Sequence, residues 1–76
     1  MGMMRILDET GDTTITWALD DPVTMAEAEA LFARLVRERK IPFARAAGAP
    51  ADAAEKISAF DPNAEEIVWV RPIAGG

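Results

Sequence analysis

The chain has 76 residues and contains no cysteine, no histidine and no tyrosine. Without cysteine there can be no disulfide, thiolate metal site or thiol nucleophile, and the composition suits a reducing compartment. Without histidine there is no catalytic triad, imidazole ligand or imidazole proton relay. A self-contained enzyme is therefore not expected, and neither is a bound metal or cofactor. Long hydrophobic runs are also missing, and nothing approaches the roughly 20 apolar residues of a membrane-spanning helix. Met1-Gly2-Met3-Met4-Arg5 leads straight into an alternating segment, without the apolar region of a signal peptide. These absences point to a soluble, cytoplasmic protein with no membrane partner.

Positive charge is scarce as well. Thirteen Asp and Glu oppose eight Lys and Arg, for a net charge of −5. Nucleic-acid binding draws its affinity from neutralising phosphates, so this balance argues against it. Five of the eight basic residues (Arg34, Arg37, Arg39, Lys40 and Arg45) do cluster within twelve positions. Cations at the end of a helix complement its dipole, which explains that cluster without a nucleic acid.

What is present describes one small α+β domain over residues 1–76 with one modest core. Ile15, Trp17 and Leu19 alternate with Thr14, Thr16 and Ala18, and Met4 and Ile6 alternate with Arg5 and Leu7. This period of two predicts a β-hairpin over 4–19, turning at Glu9-Thr10-Gly11-Asp12. Thr24 and Glu27 have the spacing of a capping box, and Met25, Ala28, Leu31, Phe32, Leu35 and Val36 share one helical face. A helix over 24–40 follows, stopped by Pro42. Phe43 to Ala46 reads as a short strand and Lys56 to Phe60 as a strand or helical turn. Asp61-Pro62-Asn63-Ala64 reads as a turn, and Ile67 to Ile73 as a last strand, apolar enough to lie in the middle of a sheet. The order is β-β-α-β-(β)-β, with one helix on a mixed sheet. If the last strand lies parallel beside the first, the arrangement is a β-grasp.

Several segments carry a family likeness. Gly11-Asp12-Thr13-Thr14-Ile15-Thr16-Trp17 resembles the first hairpin of ubiquitin, and Asp21-Pro22-Val23-Thr24 stands where its helix cap stands. Ile57-Ser58-Ala59-Phe60-Asp61-Pro62 is similar to the segment before ubiquitin's last strand. Ile67-Val68-Trp69-Val70-Arg71-Pro72-Ile73-Ala74-Gly75-Gly76 is similar to that strand and its diglycine tail. The likeness follows element order along nearly the whole chain, and residue detail at the termini. It departs in the tail, which has only Arg71 before Pro72-Ile73-Ala74, and in lysine content, limited to Lys40 and Lys56. These departures resemble prokaryotic ubiquitin-like and sulfur-carrier proteins more than ubiquitin itself.

The resemblance implies a flexible tail over 73–76, in which Gly75 and Gly76 carry the chemistry. A residue without Cβ can enter a narrow channel and present a terminal carboxylate to an adenylating enzyme. It also implies a protein partner on the sheet surface, bound by a monomer. With Ile67 and Trp69 inward, Val68 and Val70 face outward, and Leu7 and Ala44 are assigned the same outward parity. Leu7, Ala44, Val68, Val70 and Arg71 are thus the expected docking residues, ringed by Arg5 and Arg45. Trp17 and Trp69 are read as core, and the carboxylate pairs Asp20-Asp21 and Glu65-Glu66 as solvated charge rather than metal ligands. The other reading is an interaction or structural accessory protein of a phage or mobile element, with no tail chemistry. Arg5-Ile6-Leu7-Asp8 with Phe60-Asp61-Pro62 resembles small proteins of that origin.

Overall fold

A computed structural model describes residues 1–8 and 11–71. One helix packs on one face of an open, mixed, five-stranded sheet, an α+β architecture. The elements are β1 (Gly2–Asp8), β2 (Gly11–Trp17), α1 (Pro22–Arg37), β3 (Ile41–Ala46), a 3-10 turn (Ala51–Ala53), β4 (Glu55–Lys56) and β5 (Ala64–Val70). Their order across the sheet is β2-β1-β5-β3-β4. The last strand lies parallel to the first and antiparallel to β3, in the middle, as its continuous apolar run predicts. The tail expected over 73–76 lies outside the described residues.

Cross-strand partners share a face, so the register sorts the side chains into two sets. One row runs Ile15, Met4, Ile67, Ala44, and the next Thr13, Ile6, Trp69, Pro42. These rows meet the helix. Met4, Ile67 and Trp69 are fully buried there, with Ala28, Phe32 and Leu35 from α1 against them. Four aromatic rings run through the core: Trp17 meets Phe60 edge-on at 5.1 Å, Phe60 tilts against Phe32 at 5.9 Å, and Phe32 meets Trp69 edge-on at 4.8 Å. The Trp17 Nε1–H donates to the Pro62 carbonyl at 3.0 Å, fixing the β4–β5 loop to the hairpin. Gly2 is buried against that indole, where an added Cβ would overlap the ring. β2 ends at Trp17, so Leu19, expected on the strand, sits in the following turn and is 56% exposed.

The helix begins two residues earlier and ends three earlier than its periodicity predicts, and for identifiable reasons. Pro22 occupies the first turn, where its missing N–H costs nothing. Asp21 then becomes the cap, accepting from the Val23 and Thr24 amides at 3.0 and 3.4 Å. Thr24 is therefore not the capping residue: its hydroxyl accepts from the Ala18 amide and donates to the Asp21 carbonyl. At the other end Lys40 N–H reaches Leu35 O and Arg39 N–H reaches Val36 O, the two bonds of a Schellman motif. Arg39 takes the left-handed position of that motif, at φ 67°. The helix is closed by its own backbone before Pro42, which instead lies in β3, buried across from Trp69. Leu31 is half-buried, and Val36, expected in the core, is 44% exposed at the edge of the helix's inner face.

Candidate functional site

The face of the sheet away from the helix carries the other register rows. Across the middle runs Thr14, Arg5, Val68, Phe43, Lys56, one residue from each strand in spatial order. Beside it Val70 pairs with Ile41, and Leu7 occupies the same parity on β1. Val68, Val70, Ile41 and Phe43 are half-buried, and Leu7 is 36% exposed. The α-helix packs on the other face, so the apolar centre of this one stays partly exposed. Arg71, exposed, follows directly after β5.

Val68, Val70 and Leu7 thus come together as expected. Ala44 does not. It lies across from Ile67 on the helix side and packs against the core, so its outward assignment is corrected. The reason lies in β3, whose two parities are both apolar at their start: Ile41 and Phe43 on one, Pro42 and Ala44 on the other. Alternation within the strand cannot choose between them. Only the pairing with β5 does, and it puts Phe43 and Ile41 in the positions assigned to Ala44.

The charges at one end of this face are organised by a β-bulge. Arg45 pairs with Glu66 but Ala46 pairs with Ala64, leaving Glu65 as an extra residue on β5. The bulge allows Ala64 and Ile67 both to be buried, and brings two successive carboxylates to one guanidinium. Arg45 Nη1 reaches Glu65 at 2.9 Å, Arg45 Nη2 reaches Glu66 at 3.4 Å, and Arg45 Nη1 also donates to the Ala49 carbonyl at 3.0 Å. Arg5 approaches the other oxygen of Glu66 at 3.9 Å. Arg5 and Arg45 are therefore engaged with Glu66 rather than presented as unpaired cations at the rim. The network fixes the side chains' positions: Arg45 and Glu66 are partly buried, while Arg5 and Glu65 remain exposed and add little to stability.

Of the paired carboxylates Asp20-Asp21 and Glu65-Glu66, three have structural tasks here, while Asp20 is exposed. Asp21 caps the helix, and Glu65 and Glu66 hold Arg45. Among the described residues no group of three His, Cys, Asp or Glu is placed to hold a metal ion. No helix among them is long and apolar enough to cross a membrane. Gly75 and Gly76 lie outside the described residues. No family model, curated protein or solved structure matches the chain.

Proposed function

We propose that this is a non-enzymatic β-grasp protein of the ubiquitin-like kind, which works by being bound and by being activated at its C-terminus. Three features support the fold reading: parallel β1 and β5 at the centre, a hairpin before the helix, and a single helix on one face. The observation that carries the functional reading is the partly exposed sheet face. Val68, Val70, Leu7, Ile41 and Phe43 form a contiguous apolar surface on rigid strands, the kind of patch that marks a protein-docking site. Arg71 lies where β5 leads toward Gly75-Gly76, so a partner seated on the patch is close to the start of the tail.

In the carrier form of this function an adenylating enzyme binds the patch. The Gly76 carboxylate attacks the α-phosphorus of ATP, forming an acyl adenylate and releasing pyrophosphate. Hydrosulfide or an amine then displaces AMP, giving a thiocarboxylate or an amide. Gly75 and Gly76 supply reach and a slim profile.

The test pairs a surface variant with a tail deletion. Val68→Asp should keep the circular-dichroism spectrum and lower the unfolding midpoint only modestly, since the side chain is half-buried on the outer face rather than in the core, while weakening partner binding. Deleting Gly75 and Gly76 should abolish ATP–pyrophosphate exchange with the host's adenylating enzyme. Intact mass measured on protein from its native host should reveal conjugates or a thiocarboxylate. Full biological activity after removal of the diglycine rejects the tail chemistry and leaves an interaction module of phage or mobile-element type.

A further inference from the structure

A second concavity lies on the helix side of the molecule, between α1 and the Ser58–Pro62 segment, with a volume of about 560 Å³. One wall is a ridge of helix residues four apart: Met25, Glu29, Ala33 and Arg37. Glu29 and Arg37 are exposed, carry opposite charges and have no ion-pair partner among the described residues, unlike Arg34, which pairs with Glu38. Each is four residues from Ala33, or about 6 Å along the axis at the ordinary helical rise. Val36, 44% exposed, lines the groove beside them.

We propose that this groove recognises a second copy of the chain. The two α1 helices cross antiparallel about a two-fold axis through Ala33, so that Glu29 of each copy meets Arg37 of the other. The acid–alanine–base order is what makes the surface self-complementary: reversing the direction of the second helix brings unlike charges together at both ends simultaneously. Ala33, the smallest residue of this row, sits at the crossing and lets the two backbones approach. Val36 and Met25 of each copy then fill apolar space that a monomer leaves to water. This departs from the monomer expected from the sequence. The groove and the sheet's docking face lie on opposite sides, so both can be occupied together.

One helix and one loop make a small contact, and interfaces below about 1,200 Å² are transient. The signature is therefore association that grows with concentration. Sedimentation of the full chain from about 10 μM to about 1 mM should show a monomer–dimer equilibrium, weakened by added salt because opposite exposed charges are screened. Glu29→Arg and Arg37→Glu each turn two attractive pairs into two repulsive ones, and should weaken association by about tenfold. The double swap should restore it. A wild-type chain that stays monomeric throughout overturns the proposal. So do single swaps that associate like wild type, or a double swap that fails to recover. Circular dichroism should show that these exposed substitutions leave the fold unchanged, and Val68→Asp should dimerise normally, separating this result from the docking reading.

Discussion

Replacing Gly2 by alanine adds one methyl group at a position that has no room for it. The new Cβ would overlap the six-membered ring of Trp17, with Cη2 at 2.7 Å and two other ring atoms nearer still. Non-bonded carbons are comfortable at about 3.5–4.0 Å, so either the ring or the strand must move by more than about 1 Å. The ring is poorly placed to yield. Its Nε1–H is bonded to Pro62 O, its edge meets Phe60, and the residue is 1% exposed. The strand end is the softer alternative, and its displacement loses the Gly2–Trp17 pairing and uncovers part of the indole. Overpacking of a well-filled site costs about 1–3 kcal/mol, and a lost backbone hydrogen bond about 0.5–1.5 kcal/mol. As the strand can relieve one by accepting the other, the two do not add, and Gly2→Ala should destabilise by about 1–3 kcal/mol. The assay is urea unfolding followed by tryptophan fluorescence, with the native emission maximum as a second readout. If the strand gives way, the native spectrum shifts to the red; if the ring is displaced, near-ultraviolet circular dichroism changes. A midpoint within about 0.5 kcal/mol of wild type, with an unchanged native spectrum, would refute the close approach of Gly2 to Trp17.

Two further outcomes are expected. Leu35 is 2% exposed at the centre of the helix face, so Leu35→Ala should cost about 2–5 kcal/mol in denaturant titration, a large share of a small domain's stability. Arg39 holds a left-handed conformation that disfavours a residue with a Cβ by about 1–2 kcal/mol. Glycine adopts it freely but has more freedom to lose on folding, so Arg39→Gly should raise stability by about 0.5–1 kcal/mol, seen as a higher thermal midpoint.

Much of the architecture was legible in the chain. The two-residue period of Ile15 and Trp17, the helical spacing of Ala28, Phe32 and Leu35, and the run through Ile67 and Trp69 each placed a core element correctly. They did so because one side of each element meets the core and the other does not. Legibility failed where the deciding partner was distant or where two local signals competed. Thr24 and Glu27 match a capping box, but Asp21 followed by proline caps the helix first. The close approach of Gly2 to Trp17 has no local signal, because the two are fifteen positions apart. The outer face of β3 was misassigned through Ala44, since Ile41, Pro42, Phe43 and Ala44 offer apolar residues on both parities. The bulge at Glu65 was likewise invisible, as only pairing with Arg45 and Ala46 defines it. The groove beside α1 escaped notice for a related reason: the helix wheel assigned Val36 to the core, and the loop forming the opposite wall had no periodicity to read.

The position of β5 has a consequence for how the molecule comes into being. Synthesis proceeds from β1 toward β5, yet among the described residues β5 alone joins the β1–β2 hairpin to the β3–β4 pair. Until residues 64–70 have been made, the two halves of the sheet share no ladder. Met4 and Ile6 on one side, and Pro42 and Ala44 on the other, then border an empty slot one strand wide. Pairing β1 with β5 joins residues more than sixty positions apart, so the closing step is entropically demanding and slow compared with forming the hairpin or the helix. During that interval the slot can also accept the equivalent strand of another nascent chain, although the chain's own strand is favoured by its tether. The architecture that makes the finished sheet continuous thus makes its assembly a competition between completion within one chain and strand exchange between two.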